Sequence, residues 1–437
     1  MPYLTRRALA GLRDYKYKAG GYTILDAWHN PIWNWIVDHL PMWLAPNLIT
    51  LMGLAALCGS YVLAAAHLPE LDGEAPRHVY WACAAACFFY LHMDCLDGKQ
   101  ARRTGTSSPL GQLFDHGCDA LAVVVITATL TTSFNLGHGL RPAGGCLIIM
   151  VPWIMAHWEE YHTGEMVYGN GMWGVTEANY LVVLLHAWTA WMGPAFWRIQ
   201  PLQHSGLLLN AMRLQGSLEG SPTVLMETLM TKASSCGACA FLSSLLSHLP
   251  GVALRALRAT QWNDVVLAAV GSLGALMLLE QIVRTGRTMA DPRRLAKSMP
   301  PPERGDKTLG FLPALGHLAQ LAAFFALAWR CIQADRSEAG HLRLRYVAVG
   351  GAYALQATRL IVTHMAKQPF VMAAWPFGAL ALLPLNAALA WRLDPDLLAL
   401  AVALVVSAGY LHCVVGMVRE ICDFLDINAL TIKRKKA

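Results

Sequence analysis

Residues 93–120 read M-D-C-L-D-G-K-Q-A-R-R-T-G-T-S-S-P-L-G-Q-L-F-D-H-G-C-D-A, with an apolar run on either side. The upstream run belongs to His78–Ala101 and the downstream run to Leu110–Phe134. Each is long enough for a bilayer, which needs about 20 apolar residues per helix. Asp94 and Asp97 are three apart, so they share one face of the first helix. Asp115 and Asp119 are four apart and share one face of the second. Carboxylates inside a membrane helix are costly and mark function. Gly98 and Ala101 continue the first face and Gly111 the second, and small residues there let helices and a ligand approach closely.

The rest of the chain fits this membrane reading. Of 437 residues, 55% are hydrophobic and only 14% charged, against about 25% charged in an ordinary soluble domain. Too few charges are present to cover several soluble surfaces, and hydrophobicity is too high for a disordered chain. The predicted fold is all-α and polytopic, with about ten transmembrane helices. They are Leu44–Ala66, His78–Ala101, Leu110–Phe134, Ala143–His162, Glu177–Phe196, Trp262–Val283, Leu309–Cys331, Tyr346–Lys367, Val371–Trp391 and Leu397–Glu420. Before them, ILDAWHNPIWNWIVDHLPMWL holds Trp28, Trp33, Trp35 and Trp43 with Asp26, His29 and Asp38 between. It is too polar, and too broken by Pro31 and Pro41, to span. It reads as an amphipathic helix in the interface, where tryptophan prefers to sit.

Charge sets the orientation. The N-terminus is basic, with no apolar signal-peptide core. If it is cytosolic and ten spans alternate, Lys99, Arg102, Arg103, the loop RTGRTMADPRRLAKSMPPPERGDK and the tail KRKKA are all cytosolic, as the positive-inside rule asks. Residues 200–261 resist this scheme. Their apolar stretch Cys236–Leu254 is broken by serines and His248, and one more span there would move the basic loop to the lumen. They are expected to form a lumenal or re-entrant insertion. The predicted organisation is a cytosolic N-terminus and interfacial helix (1–43), catalytic helices (44–199), the insertion (200–261), further spans (262–420) and a basic cytosolic tail (421–437). The eleven cysteines show no disulfide or zinc spacing, so they read as packing residues, the Cys236/Cys239 pair included.

Two carboxylate pairs facing each other at the cytosolic end of a hairpin make an all-oxygen cage. Asp94, Asp97, Asp115 and Asp119 suit magnesium, manganese or calcium, and a divalent ion relieves their mutual repulsion. Arg102, one turn beyond Gly98, offers a fork to a phosphate oxygen. These residues point to metal-assisted phosphoryl chemistry at a membrane surface. The competing explanation is helix-end carboxylates paired with Lys99, Arg102 and Arg103.

The pattern D-x2-D-G-x2-A-R-x8-G-x3-D-x3-D, filled by Asp94, Asp97, Gly98, Ala101, Arg102, Gly111, Asp115 and Asp119, resembles the signature of CDP-alcohol phosphotransferases. YKYKAGG, PIWNWIVDHLPMWLAPNLITLMG and DGKQARRTGTSSPLGQLFDHGCDA are similar to the eukaryotic choline/ethanolamine phosphotransferase branch. The resemblance continues more weakly through HWEEYHTGE, GVTEANY and RLIVTHMAKQ and is absent from 200–261. It implies transfer of phosphocholine or phosphoethanolamine from CDP-choline or CDP-ethanolamine to diacylglycerol, giving the phospholipid and CMP. It implies Mg2+ or Mn2+ on Asp94, Asp97 and Asp115, with Asp119 as ligand or base. It also implies a CDP site lined by Gly98, Ala101, Arg102 and Gly111, with Asn47 of PNLIT nearby.

The acceptor hydroxyl needs a proton acceptor. His116, in the DHGCD form that the resemblance shares, has a suitable ordinary pKa, and Glu177 opens the fifth span from the same side. His116 with Glu177 is favoured over Asp119 alone, which a metal would occupy. Trp158, Glu159, Glu160 and Tyr161 offer an ammonium site or an interfacial anchor. Lys433 and Lys435 fit a dilysine retrieval signal, which suggests the endoplasmic reticulum (or Golgi) membrane with the active site facing the cytosol. The Leu/Ala-rich spans after Leu309 suit lipid or a homodimer, and no nucleic-acid partner is expected. Two other readings remain: the same enzyme class with another alcohol or acceptor lipid, and a polytopic transporter. A transporter should carry its ionisable residues at the midplane of two related halves.

Overall fold

A computed structural model describes residues 2–216, 224–333, 341–389, 391 and 393–433. Two short helices come first, Arg6–Arg13 (α1) and Ile24–His39 (α2). Five long helices follow: Pro46–His67 (α3), Arg77–Thr104 (α4), Pro109–Ser133 (α5), Leu140–Thr163 (α6) and Val175–Met192 (α7). Shorter ones occupy the middle of the chain: Gly206–Leu214 (α8), Val224–Ser235 (α9), Gly237–Leu246 (α10) and Gly251–Ala259 (α11). The remainder are Trp262–Ala290 (α12), Pro292–Ser298 (α13), Pro301–Arg304 (α14), Phe311–Gln333 (α15), Leu342–Met365 (α16), Trp375–Ala388 (α17) and Pro395–Leu425 (α18). The strands among the described residues are Ala19–Gly20 (β1) and Met166–Val167 (β2), paired in parallel. The protein is an all-α polytopic membrane protein.

Among the described residues, seven helices are long and apolar enough to cross a bilayer: α3, α4, α5, α6, α12, α15 and α18. The other three segments expected to span are also helical, as α7, α16 and α17. Among them α16 is the most instructive. Arg345, Gln356, Thr358 and His364 lower its hydropathy, yet all four are buried. Its polar groups meet protein rather than lipid: Tyr353 donates to the Met150 carbonyl at 3.0 Å, Tyr346 to that of Pro142 at 3.0 Å, and Arg345 to that of Cys331 at 2.7 Å. A helix at the middle of a bundle can carry such groups because neighbours satisfy them.

Lipid tails are as apolar as leucine, so close packing and internal hydrogen bonds hold these helices together. Gly350 shows how close. A Cβ there would lie 2.3 Å from Val124 Cγ1, so α16 and α5 touch through a position where only glycine fits.

The tryptophan-rich segment before the first span forms one helix, α2, capped by a reciprocal Thr23–Asp26 box and continuous through Pro31. Pro31 removes one donor without ending the helix, and Pro41 lies beyond its last residue. Trp33 and Val37 pack on Ile49 and Leu96, while Trp28 and Trp35 face outward.

Contacts divide the chain into two compact units, Pro194–Val270 and the remainder. Within the smaller unit, Leu225–Ser235 and Gly237–Leu246 are bent by 109°, the geometry of a broken span or a re-entrant loop. Cys83, Cys87 and Cys146 are buried, as packing cysteines should be, but Cys236 is exposed at this bend. A helix end that turns so sharply leaves its first residue uncovered, so the packing account fails for Cys236.

Gly350→Val should overpack the α5–α16 contact and destabilise the protein by about 1–3 kcal/mol. The check is the thermal unfolding midpoint of purified protein, with recovery expected when Val124→Ala is added.

Candidate active site

The site is built on the α4–α5 hairpin. Gly105 ends α4 in the left-handed conformation (φ 66°), and the Thr106 N–H closes on the Ala101 carbonyl at 2.9 Å, a glycine C-cap. Ser108 then caps α5, its hydroxyl accepting from the Gly111 N–H at 3.1 Å, with Pro109 as the first helical residue. This short turn sets the two aspartate faces opposite each other.

Ligand oxygens of Asp94, Asp97 and Asp115 lie within 4.8 Å of one another. Asp119, one turn beyond Asp115 on α5, accepts a hydrogen bond from the Tyr90 hydroxyl. Asp97 accepts one from Thr50 of α3. Asp115 Oδ1 is buried with no hydrogen-bond partner. A buried, unpartnered carboxylate oxygen beside three more carboxylates lacks a positive charge. A hard divalent cation fits this all-oxygen donor set.

Lys99, Arg102 and Arg103 do not neutralise the cluster as ion pairs. Lys99 donates to Asn34 Oδ1 at 2.8 Å and to Asn30. Arg103 donates to the Leu40 and Asp38 carbonyls at 2.7 and 3.0 Å. Both therefore anchor α2, while Arg102 lines a cavity of about 1040 Å³ beside the aspartates. Asn47, Asp97, Gly98, Ala101, Gly111 and Asp115 line the same cavity. Asn47 and Gly111 sit in the first turns of α3 and α5, where backbone N–H groups favour an anion.

His116 is buried, with Nε2 2.6 Å from the Gln112 amide and 4.0 Å from Asp115 Oδ2. Glu177 Oε2 is buried and unpartnered. Among the described residues no hydrogen bond joins His116 to Glu177.

Several residues at the site carried no sequence signal on their own. Tyr90 is four before Asp94 and Thr50 three after Asn47, so helical spacing could have found both. Tyr15 and Tyr17 reach the cavity from the N-terminal segment through tertiary contacts alone. Tyr15 donates to Glu160 at 3.2 Å, and Tyr17 lies edge-on to His116. Burial pushes both phenols up, so both remain donors at neutral pH. Trp158 and Tyr161 are core residues and Glu159 is paired with Arg284, which leaves only Glu160 of the expected ammonium group beside the site. Its carboxylate faces His157 at 3.4 Å and His364 at 3.6 Å. His116, His157 and Glu160 thus form a second grouping of metal-ligand types, also within 4.8 Å.

Residues 43–201 match the sequence model of the CDP-alcohol phosphatidyltransferase family. That stretch is similar to a CDP-alcohol phosphatidyltransferase domain. Similar proteins include Cholinephosphotransferase 1 of Gallus gallus, 36% identical over 219 residues, 50% of this chain and 64% of that protein. The Xenopus laevis protein of the same name is 34% identical over 221 residues, 50% of this chain and 54% of the relative. An uncharacterized CDP-alcohol phosphatidyltransferase class-I family protein of Dictyostelium discoideum is 39% identical over 200 residues, 45% of this chain and 47% of its own length. The chain spans about half the length of the curated relatives it matches. These relatives lie in the eukaryotic branch. The matched domain includes the hairpin, Asn47 and α6.

Asp94→Asn and Asp115→Asn should each weaken divalent-cation binding, since each removes a charge from the cluster. Paramagnetic titration of purified protein with Mn2+ measures this directly. Unchanged binding in both variants would exclude the cluster as the metal site.

Proposed function

We propose that the protein transfers a phosphoaminoalcohol group from CDP-choline or CDP-ethanolamine to the hydroxyl of diacylglycerol, releasing CMP. The supporting observation is the four-aspartate cluster bordering a cavity that also holds Arg102, Asn47 and two helix N-termini. Asp94, Asp97, Asp115 and Asp119 would hold Mg2+ or Mn2+, which when bound supplies charge stabilisation to the diphosphate. Gly98, Ala101 and Gly111 have no side chain large enough to fill the nucleotide's place. Arg102 offers its guanidinium to a phosphate oxygen.

In the transfer, the acceptor oxygen bonds to the phosphorus that carries the aminoalcohol. The bond from that phosphorus to the bridging oxygen breaks, and CMP leaves with the electron pair. The hydroxyl proton passes to a base, for which we assign His116. Asp119 is less suited, because Oδ1 accepts from the Tyr90 hydroxyl and its carboxylate would also hold the cation. Gln112, which lines the cavity and holds His116 Nε2 at 2.6 Å, must yield to the incoming hydroxyl. Glu177, with its unpartnered oxygen, orients or relays once substrate is bound.

A transporter gains no support, since the carboxylates cluster at one end of one hairpin. Another alcohol or acceptor lipid remains the second reading, because the relatives named for choline cover only half of the chain. We place the active site on the cytosolic face of the endoplasmic reticulum membrane. Support comes from the gathering of basic segments: Lys18 pairs with Glu303, Arg7 with Asp306, and Glu420 accepts from the Tyr3 and Leu4 N–H groups. Lys433 of the retrieval signal is described below, and Lys435 lies outside the described residues. The exposed face of α12 suits lipid or a second copy in a homodimer, and Pro194–Val270 is assigned to a lumenal or re-entrant position.

With magnesium and diacylglycerol, purified protein should turn over labelled CDP-choline or CDP-ethanolamine. His116→Ala should lower kcat by roughly a hundredfold to ten-thousandfold while CDP-alcohol binding survives. Glu177→Gln should resemble it, and the double variant should be little worse if the two act as a unit. Near-normal turnover in His116→Ala would return the base to Asp119. For orientation, a single cysteine placed within residues 284–307 should react with an impermeant reagent only from the cytosolic side, and lumenal reaction would reverse the topology.

A further inference from the structure

The segment after α18 folds back into the cavity. Asp426 ends the helix in the left-handed conformation (φ 55°), which an aspartate tolerates better than most residues. Asn428 Nδ2 then donates to Thr431 Oγ1 at 2.9 Å, and the Lys433 ammonium returns to the Asp426 carboxylate. The result is a small closed loop. It is tied to the start of α3, because Asn47 Nδ2 donates to the Ala429 carbonyl at 2.8 Å. Asp426, Ile427, Asn428, Ala429, Ile432 and Lys433 all line the cavity that Asp97, Gly98, Arg102 and Gly111 line from the other side.

Two features give this loop a binding role. First, it fixes Asn47. With its amide nitrogen held by Ala429, Asn47 keeps Oδ1 3.7 Å from where a Cβ added at Gly111 would stand, and both residues line the cavity. Second, it supplies charge. Among the described residues, Arg102 and Lys433 are the cations in a lining that also contains Asp97, Asp115 and Asp426. A CDP-alcohol brings a doubly charged diphosphate. Lys433 rests on Asp426, whose side chain is 87% exposed, and exposed ion pairs of this kind are weak. A phosphate oxygen with two nearby negative charges is the stronger partner.

We propose that residues 426–433 form a wall of the CDP-alcohol site and that Lys433 is a diphosphate-binding residue, exchanging Asp426 for a phosphate oxygen when substrate enters. This rests on the reading that the cavity takes a CDP-alcohol. It also sets two roles of Lys433 against each other, because a lysine held in the site is not free to serve in a retrieval signal.

The test compares the full chain with Lys433→Met, Lys433→Arg and a chain ending at Asp426, all purified in lipid nanodiscs. Calorimetric binding of CDP is measured beside steady-state kinetics. Lys433→Met should weaken CDP binding by about tenfold and raise KM for the CDP-alcohol in step. KM for diacylglycerol should stay unchanged, and the salt dependence of CDP affinity should become shallower. Lys433→Arg should restore most of the affinity, which a purely structural role would not predict. The shortened chain should lose at least as much affinity as Lys433→Met. Should it fail to fold, Lys433→Met still decides, because the Lys433 side chain is half exposed and its loss leaves the fold intact. Unchanged CDP affinity in Lys433→Met would overturn the proposal while leaving the proposed reaction standing. A full chain that turns over a CDP-alcohol to CMP but shows no difference among the variants would do the same. A full chain that binds no CDP would overturn both.

Discussion

Four carboxylates held against one another inside a membrane protein need a positive charge, and the arrangement around the site follows from that need. Asp94 and Asp97 come from one helix and Asp115 and Asp119 from the next, so the hairpin turn at Gly105–Pro109 decides their distance. Thr50 and Tyr90 each donate to one of them, which orients oxygens without adding charge. The nearby cations are directed elsewhere. Lys99 and Arg103 bind α2, and Arg102 faces the cavity. Asp115 Oδ1 is left buried and unpartnered. The protein thus withholds its own counter-charge at a place that a cation would fill.

Enclosure of the cluster depends on segments distant in sequence. The N-terminal segment brings Tyr15 and Tyr17 to the cavity, and β1 pairs it with β2 beyond the end of α6. Lys18 ties it to residues Ser298 and Glu303 of the basic loop. The same loop carries Lys307, whose ammonium burial holds down to about 7 and which lies 2.9 Å from His364. Beneath this polar cap, α16 is packed on α5 tightly enough to require Gly350. A rigid helix behind α5 is what a site needs when it places charged groups to within a fraction of an ångström.

The helical parts of this design were readable beforehand. Carboxylate pairs at spacings of three and four residues define faces by geometry alone, so the cluster needed no tertiary information. The helix over Ile24–His39 was readable too, although Pro31 suggested a break that α2 does not have. All ten apolar segments are helical. Three of them nevertheless differ from the other seven: α17 is only 14 residues long, α7 carries Glu177, Asn179 and His186, and α16, surrounded by protein, can afford arginine and glutamine. The expected ammonium group dissolved for a related reason: Trp158 and Tyr161 serve the core and Arg284 neutralises Glu159, so adjacency in sequence became dispersal in space.

By itself the sequence determined that this is a helical membrane protein with two facing carboxylate pairs at one end of a hairpin, since composition and the 3.6-residue period act locally. Only the tertiary structure decided what surrounds them. His116 meets Gln112, Tyr17 and His157, with no hydrogen bond to Glu177. Lys99 and Arg103 leave the aspartates alone. Asn47 is held by a carbonyl 382 residues away. Such partners depend on how helices stack and where their connecting segments return, and no short-range pattern in a chain records that.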